Sequence, residues 1–333
     1  MTAATYDVLG IGNAIVDILA KTEDKFLTEQ GMAKGSMALI DEARAAAIYD
    51  AMGPATEISG GSAANTIAGV ANLGARAAFV GKVRNDQLGN VFSHDIRAAG
   101  VAFATQAASH GPATARCYVL VSPDGERTMN TYLGAAQDLS PADIDPVHIA
   151  ASSIVYLEGY LWDPANAKEA FLKASKIAHE NKRSVALTLS DAFCVGRYRD
   201  EFLDLIRSKT VDLVFANEAE LASLYQTEDF DKALVQLRGD ATLAVVTRSE
   251  KGCVVVAKDK VTPVPASPVK QVVDTTGAGD LFAAGFLFGT VRGLSHEQCG
   301  RLGALAAAEV IQHIGARPQT SLKALAQEAG LPA

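Results

Sequence analysis

A segment of small residues near the carboxyl terminus has the composition of an anion-binding site. Gly277, Ala278 and Gly279 follow an apolar run, and a helical pattern begins at about Asp280. Small residues in front of a helix let backbone N–H groups point at one spot, and the helix dipole adds positive potential there. This geometry suits a phosphoryl group in transfer, whose equatorial oxygens carry spread negative charge.

Asp280 is the candidate catalytic base, because it directly follows these small residues. Its carboxylate could accept the proton of an attacking hydroxyl. We expect the positive helix terminus to lower the pKa of Asp280 and to keep the group ionised. The alternative is structural: Asp280 only caps the helix, and the glycines only form a tight turn.

Two other segments carry residues suited to a hydroxylated substrate. Gly61 and Ser62 open a predicted helix, and Gly61 would let a substrate come close to the backbone. Asn65 in the same helix could offer a donor and an acceptor to a vicinal diol. Asn13 and Asp17 lie in a predicted strand, where an amide and a carboxylate can recognise sugar hydroxyls. A simple turn is the alternative for the glycine pair.

The segment from Gly10 to Asp17 superficially resembles a dinucleotide-binding loop. Such a loop must be followed by a helix, whereas Ile15, Val16 and Ile18 favour a strand. A dehydrogenase is therefore an alternative with little support from the sequence.

A fourth segment pairs Asn217 with Glu220 at the start of a predicted helix. The two residues are three positions apart and therefore share one helical face. A carboxylate at the carboxyl end of a parallel strand is well placed to hold Mg²⁺-bound water. The alternative is a helix that Asn217 merely caps.

The elements that must position these residues alternate between strands and helices, which predicts a doubly wound, mainly parallel sheet. Several strands lack strict alternation, as expected when both faces of a sheet are covered. The predicted strands are Tyr6–Gly12, Ala77–Val83, Ser153–Glu158, Ser184–Leu189, Val211–Ala216 and Leu243–Thr247. The predicted helices are Asp41–Met52, Ser62–Leu73, Gln87–Ala99, Pro164–Asn181, Arg199–Ser208 and Asn217–Tyr225.

Three stretches interrupt this rhythm, at residues 14–20, 35–40 and 113–133, the last with a predicted hairpin around residues 122–125. They are too polar on one face to be central strands. We therefore expect a small β-sheet that projects from the main domain. The predicted division is a core domain of residues 1–13, 41–100 and 134–333 and a small sheet of residues 14–40 and 101–133, which the family resemblance given below identifies as a lid.

Composition narrows the function classes. The 333 residues carry a formal net charge of −8, which argues against a nucleic-acid partner bound through a broad positive surface. The four cysteines are scattered without a CxxC pair, which suits a reducing compartment better than a zinc site or a disulfide framework. The amino terminus lacks the basic region of a signal peptide, and the longest apolar run is too short to cross a bilayer. We expect a cytoplasmic protein without a membrane partner, either a monomer or a homodimer.

Together these segments resemble the PfkB, or ribokinase-like, kinase family. The early GG-x3-N signature is present at Gly60, Gly61 and Asn65, and the late DTTGAGD signature is present at residues 274–280. The NxxE element lies between them, and the resemblance extends over essentially the whole chain. It implies an α/β/α sandwich with a mainly parallel central sheet and a small β-sheet lid.

The resemblance also implies roles for single residues. Asp280 resembles the catalytic base of the family, and the three small residues before it resemble the anion hole. The implied cofactor is Mg²⁺ with ATP, and the family analogy places a monovalent cation such as K⁺ near Asp274 and Gly315. The residues that resemble ATP contacts are Asn217, Glu220, Thr247, Ser249 and Thr276. By the same resemblance, Asn217 and Glu220 would also hold the metal through water. Ser249 stands where the family usually has a glycine.

The acceptor site resembles that of adenosine kinases and inosine-guanosine kinases. The GxGNxxxD element of these kinases is matched by Asn13 and Asp17. An aromatic residue that stacks on a purine is offered by Tyr160 or Trp162, although Leu161 stands at the closest matching position. By this resemblance the acceptor site comprises Asn13, Asp17, Met37, Leu39, Gly61, Ser62, Asn65, Arg127 and Tyr160.

The expected activity is transfer of the γ-phosphoryl group of ATP to the 5′-hydroxyl of adenosine. Within the same class, the alternatives are a sugar kinase that acts on ribose or fructose and an inosine-guanosine kinase. From another class, the alternative is a nucleoside-binding protein without catalytic activity, against which the intact Asp280 argues. The partners expected in every case are small molecules.

Overall fold

The computed structural model describes residues 4–333. Its strands are β1 Tyr6–Ile11, β2 Ile15–Lys21, β3 Met37–Leu39, β4 Thr56–Gly60, β5 Ala77–Val80, β6 Val101–Phe103, β7 Ala115–Val121, β8 Arg127–Tyr132, β9 Ser152–Glu158, β10 Ser184–Thr188, β11 Leu213–Asn217, β12 Leu243–Thr247, β13 Cys253–Ala257 and β14 Lys260–Val264. Its α-helices are α1 Asp24–Glu29, α2 Glu42–Ala51, α3 Ser62–Asn72, α4 Gln87–Ala98, α5 Pro146–Ala150, α6 Ala165–Glu180, α7 Ala192–Arg207, α8 Glu218–Tyr225, α9 Phe230–Asp240, α10 Ala278–Val291, α11 His296–Val310 and α12 Leu322–Glu328.

Nine strands form the central sheet, in the order β14-β13-β12-β11-β10-β9-β1-β5-β6. The seven strands from β12 to β6 run parallel, and only β13 and β14 are antiparallel. Neighbouring residues of β1 contribute to opposite faces, because Val8 packs into one core and Leu9 into the other. Helices α3, α4, α10, α11 and α12 cover one face, and α5 to α9 cover the other. The predicted α/β/α sandwich with a mainly parallel sheet is confirmed.

A second sheet of five strands, in the order β3-β8-β7-β2-β4, projects from the core; we call it the lid sheet. One face of the lid sheet is apolar and packs under α1 and α2, where Ile18, Leu27 and Ile48 are buried. The opposite face lines a cavity between the lid sheet and the central sheet. The hairpin predicted around residues 122–125 joins β7 to β8.

Sheet membership differs from the predicted domain division at two places. Thr56–Gly60, which we had assigned to the core, pairs with β2 in the lid sheet. Val101–Phe103, which we had assigned to the lid, pairs with β5 in the central sheet. The sequence could not show these pairings, because both strands are short and the choice of partner depends on tertiary packing.

Helix α7 starts earlier in the chain than its predicted start at Arg199. It begins at Ala192 because Asp191 caps it, with the Asp191 carboxylate accepting from the backbone N–H of Cys194 at 2.6 Å. A kink at Tyr198 (φ −121°) divides the helix into two parts, and the predicted span matches the second. Within residues 4–333, no helix combines the length and apolar content needed to cross a membrane.

Helix α10 is held in place by close packing that only small residues allow. A Cβ atom on Gly285 would collide with the backbone of Leu302 in α11, including a contact of 2.6 Å to the nitrogen of Gly303. On the other side, a Cβ on Gly69 of α3 would lie 2.7 Å from the Cβ of Ala284. Glycine at these crossings therefore fixes the position of α10, and with it the position of the segment that precedes the helix.

We predict that Gly285→Ala lowers the free energy of unfolding by about 1–3 kcal/mol, because the added methyl group overpacks a backbone contact. The control is Gly239→Ala in α9, where an added Cβ would meet nothing within 4 Å. That change should stabilise the protein by about 0.5–1 kcal/mol, because alanine is the better helix former. Urea unfolding of both variants measures the difference, and equal shifts would contradict the packing argument.

Candidate active site

A cavity of about 880 Å³ lies between the central sheet and the lid sheet. Residues at or just after the carboxyl ends of parallel strands form its floor, as is usual for ligand sites of α/β proteins. These residues include Asn13 after β1, Glu158 at the end of β9, Ser190 after β10, Asn217 at the end of β11 and Thr247 at the end of β12.

The small-residue segment forms the amino terminus of α10 at this cavity. Gly277 is the N-cap with a φ of 79°, a left-handed conformation that favours glycine, and the helix begins at Ala278. Gly277, Ala278 and Gly279 all line the cavity, so the first N–H groups of α10 lie at its wall. Asp280 lies inside the first turn and is not the N-cap. The capping alternative for Asp280 is therefore wrong.

Two side chains of α3 bind the carboxylate of Asp280. The hydroxyl of Ser62 donates to Oδ1 at 2.6 Å, and the amide of Asn65 donates from Nδ2 to Oδ2 at 3.1 Å. Burial raises the pKa of Asp280 above its ordinary value, although both hydrogen bonds and the charge of Arg317 act in the opposite direction. Our expectation of a lowered pKa is wrong, because loss of solvent outweighs the positive helix terminus.

The glycine pair makes room for the first polar segment. A Cβ on Gly60 would collide with the carboxylate of Asp17, and a Cβ on Gly61 (φ 99°) would collide with the carbonyl oxygen of Asn13. These glycines are thus required by packing within the protein, whereas we had predicted that Gly61 lets a substrate approach. The early signature, which contains Asn65, and the late signature, which ends at Asp280, meet at the cavity through the hydrogen bond between these two residues.

Glu158 is a buried carboxylate that sequence reasoning missed. It is 1% exposed, and its Oε1 accepts from Nδ2 of Asn13 at 2.6 Å while its Oε2 accepts from the backbone N–H of Ala63 at 2.8 Å. The amide nitrogen of Asn13 is therefore used, and its Oδ1 is buried without a partner within residues 4–333. The available signal was a glutamate at the end of an otherwise apolar strand. The unpartnered oxygen of Asn13 can accept a hydrogen bond from a substrate hydroxyl.

Asp17 lies on β2 of the lid sheet and lines the cavity. Burial raises its pKa to about 7, and the charges of Arg317 and Arg127 partly offset this rise. In the structure Asp17 therefore lies near its titration point at neutral pH. A donor hydroxyl in the cavity would favour its ionised form.

Arg127 on β8 contacts the start of the DTTGAGD segment. Its guanidinium forms an ion pair with Asp274 and donates to Oγ1 of Thr276 at 3.1 Å. The carboxylate of Asp274 also accepts from the backbone N–H groups of Thr276 at 3.0 Å and Gly315 at 2.9 Å. Asp274 thus has a cationic partner from the protein itself, in the region where the family analogy placed K⁺.

Asn217 and Glu220 form a capping box at the start of α8. Oδ1 of Asn217 accepts from the N–H of Glu220 at 2.9 Å, and the Glu220 carboxylate accepts from Nδ2 of Asn217 at 2.6 Å and from its backbone N–H at 3.1 Å. Asn217 therefore caps the helix, as in the alternative interpretation. Both residues also line the cavity, and burial raises the pKa of Glu220 to about 7. Each carboxylate oxygen keeps a lone pair free, which fits hydrated Mg²⁺ held through water.

Within residues 4–333, no group of three or more His, Cys, Asp or Glu side chains is arranged to hold a metal ion by itself. Thr247 and Thr276 line the cavity. Ser249 is not among the lining residues, and it adopts a φ of 51° that usually favours glycine. Ser249, which stands where the family usually has a glycine, therefore adopts a left-handed backbone conformation in this turn.

The cavity also has an apolar part. Met37 and Leu39 on β3 are 48% and 58% exposed and line it, as does Tyr160. Phe193 at the first turn of α7 lines it too and is 78% exposed, but it was not among the predicted acceptor-site residues. Trp162 does not face the cavity, since it is buried against Phe171 and Phe202 and donates to Glu201. Of the two aromatic candidates, Tyr160 is the one at the cavity.

Comparison with known proteins agrees with this arrangement. The family model of pfkB family carbohydrate kinases matches residues 49–323. The chain belongs to this family. This pfkB kinase is a phosphotransferase with a hydroxyl group as acceptor, and its fold is ribokinase-like.

Two solved structures and one curated relative illustrate the similarity. The chain is 58% identical to an adenosine kinase from Sinorhizobium meliloti, with a TM-score of 0.92 over 98% of this chain and 100% of that one. It is 54% identical to a probable sugar kinase from Rhizobium etli, with a TM-score of 0.93 over 99% and 100% of the two chains. Adenosine kinase 2 of Arabidopsis thaliana is 28% identical over 94% of this chain and 96% of its own length.

We predict that Glu158 makes the stability of the ligand-free pfkB kinase depend on pH. Burial raises its pKa to about 7, so the native state binds this proton more tightly than the unfolded state. The contribution to stability is full below the ordinary pKa of 4.5 and is lost as the pH rises to about 7, by about 3 kcal/mol. Urea unfolding between pH 5 and pH 8 should therefore show a smaller decrease in Glu158→Gln than in the wild type.

The control for this measurement is Glu180→Gln at the surface end of α6, which should keep the wild-type pH dependence. A Glu158→Gln variant with the wild-type pH dependence would show that Glu158 titrates at its ordinary pKa.

Proposed function

We propose that this pfkB kinase transfers the γ-phosphoryl group of Mg–ATP to the 5′-hydroxyl of adenosine and releases AMP. The observation that carries the proposal is a pair of cross-strand rows on the cavity face of the lid sheet. One row is Asp17, Cys117, Thr131 and Leu39, and the other is Leu19, Val119, Met129 and Met37. Every member of both rows lines the cavity.

The first row changes from the carboxylate of Asp17 to the apolar Leu39 across the sheet, whereas the second row is apolar throughout. Asp17 lies on β2, and Leu39 and Met37 lie on β3, which is three strands away. Because neighbouring strands are about 4.8 Å apart, the two ends are separated by about 14 Å. A nucleoside has this polarity, with hydroxyls on its ribose and a flat, mostly apolar base at the other end.

The ribose end has complementary groups on the core side. Asn13 presents an Oδ1 that has no partner in the described part of the chain (residues 4–333), and Asp17 presents a carboxylate, so two acceptors are available for vicinal hydroxyl donors. Met37 and Leu39 offer an apolar surface for the base, and the aromatics Tyr160 and Phe193 line the same cavity as candidate stacking partners. An aromatic ring on a purine adds stacking to the burial of apolar area.

The proposed chemistry uses Asp280 as base. The acceptor O–H donates its proton to the Asp280 carboxylate while the hydroxyl oxygen bonds to the γ-phosphorus, and the bond from that phosphorus to the β,γ-bridging oxygen breaks to release ADP. The N–H groups at the start of α10 stabilise the charge on the phosphoryl oxygens. Arg127, which is paired with Asp274, donates to Thr276 and holds the segment before α10 in place at the same end of the cavity.

Asn217 and Thr247 lie at the ends of β11 and β12, and Glu220 lies in the first turn of α8; all three are proposed to face the phosphates of ATP. Mg²⁺ would arrive with ATP and neutralise phosphate charge, and Asn217 and Glu220 would orient its water ligands. The raised pKa of Glu220 fits a carboxylate whose cationic partner comes with the substrate.

A sugar kinase is the second candidate, and the similarity to a probable sugar kinase from Rhizobium etli favours it. A bare sugar would fill the Asn13 and Asp17 end but would leave Met37 and Leu39 exposed to water. An inosine-guanosine kinase is a third candidate, since the apolar part of the cavity does not by itself distinguish one purine from another.

The test is phosphoryl transfer from ATP to a panel of acceptors, with the products identified by mass. We expect kcat/KM to be highest for adenosine, lower for inosine and guanosine, and lowest for ribose and fructose. A higher kcat/KM for a free sugar than for any nucleoside would reject the proposal.

Two variants examine the two ends of the acceptor site separately. Asp17→Ala should raise KM for adenosine about 10- to 100-fold, because a hydrogen bond to a charged group is lost, and should leave KM for ATP nearly unchanged. Leu39→Ala should raise KM for adenosine but not that for ribose. Thermal unfolding shows whether Asp17 is instead structural, in which case the melting temperature falls without a selective effect on the acceptor.

A further inference from the structure

The loop after α11 packs directly against the loop before α10. The backbone N–H of Gly315 donates to Oδ2 of Asp274 at 2.9 Å, and a Cβ on Gly277 would lie 2.8 Å from Cα of Ala316. This packing brings the next residue, Arg317, to the wall of the cavity beside Asp280. Arg317 was not among the predicted site residues, because it lies outside both family signatures.

Arg317 forms a hydrogen bond with Asn65, the residue that also donates to Asp280. Its Nε donates to Oδ1 of Asn65 at 2.7 Å, and its Nη2 donates to Oγ of Ser59 at 3.3 Å. An amide has one acceptor oxygen and one donor nitrogen, so the bond from Arg317 to Oδ1 leaves Nδ2 for Asp280. The observed bond from Nδ2 of Asn65 to Oδ2 of Asp280 completes the chain.

The charge of Arg317 is not neutralised by a direct partner. Three arginines line the cavity; Arg127 pairs with Asp274, and Arg197 pairs with Asp163. Among the described residues, 4–333, no carboxylate lies within 4.0 Å of the Arg317 guanidinium. Its charge acts instead over a longer distance on Asp17, Asp95 and Asp280.

We propose that Arg317 is a positioning residue for phosphoryl transfer, which orients the amide of Asn65 toward Asp280 and keeps the base in place. The proposal rests on the function proposed above, in which Asp280 is the base. It also gives the two carboxylate oxygens of Asp280 different roles. Asn65 is fixed on Oδ2 by Arg317, whereas the hydroxyl of Ser62 can rotate away from Oδ1. Oδ1 is therefore the oxygen that takes the proton of the acceptor.

Arg317 also connects the base to the lid sheet, since Ser59 is a residue of β4. The side chain thus contacts the lid, helix α3 and, through Asn65, the catalytic end of α10.

The test compares Arg317→Met, Arg317→Lys and the control Arg76→Met, whose arginine pairs with Asp7 away from the cavity. In Arg317→Met we expect kcat to fall about 10- to 100-fold, as for the loss of a hydrogen bond to a charged group, with KM for ATP within about twofold of the wild type. Arg317→Lys keeps the charge but not the fixed Nε bond, so kcat should fall about fivefold or more. Arg76→Met should keep the wild-type kcat.

The pH profile of kcat provides a readout that a purely structural role would not move. Asp280 faces the cation of Arg317, the carboxylates of Asp17 and Glu158, and the phenols of Tyr156 and Tyr160. Loss of the cation raises the pKa of Asp280, so the acid limb should move to higher pH in Arg317→Met. It should stay near the wild-type position in Arg317→Lys.

The inference is overturned if Arg317→Met keeps the wild-type kcat, or if its kcat falls while the acid limb stays in place. If Arg317→Met does not fold, a wild-type kcat in Arg317→Lys overturns it equally. The comparison uses whichever hydroxyl acceptor the wild type phosphorylates best. Absence of adenosine turnover by the wild type would therefore reject the proposed acceptor and leave the assignment of Arg317 to be decided by these variants.

Discussion

The amino-terminal turn of α10 is the feature on which the rest of the site depends. In the proposed mechanism its N–H groups and the helix dipole provide the positive potential for a phosphoryl group, although the N–H of Ala278 also donates to the carbonyl oxygen of Thr275 at 3.2 Å. Asp280 lies within the same turn. Close packing at Gly285 and Gly277 fixes this turn from behind and from the side. Helix α3 then brings Ser62 and Asn65 to the Asp280 carboxylate. Catalytic geometry thus follows from the crossings of helices whose small residues permit close approach.

Buried carboxylates are the second constraint. Asp17, Glu158 and Glu220 all have pKa values raised to about 7 by burial, and none has a direct cationic partner within residues 4–333. A protein that kept such groups for stability alone would gain little, because unpaired buried charge is costly. Their position around one cavity is better explained by ligands that supply donors and cations, namely hydroxyl groups and Mg–ATP.

Local sequence features predicted the parts of the site that depend on local geometry. The segment from Gly277 to Asp280 and the capping pair Asn217 and Glu220 were found because a helix start needs few residues. Glu158 and Arg317 could not be found, since their partners lie 95 to 258 residues away along the chain. The pKa of Asp280 was expected to fall and instead rises, because the sequence shows the helix terminus but not the burial of the carboxylate.

The central claim is that Asp280 takes the proton of the acceptor. Asp280→Asn keeps the size of the side chain, and calorimetry with adenosine and a non-hydrolysable ATP analogue shows whether both substrates still bind. The decisive measurement is kcat of this variant with the best acceptor. The account predicts a decrease of about 10²- to 10⁴-fold with both Kd values nearly unchanged. A variant that retains more than about a tenth of the wild-type kcat, a loss of under about 1.4 kcal/mol in the barrier, would show that Asp280 is not the base.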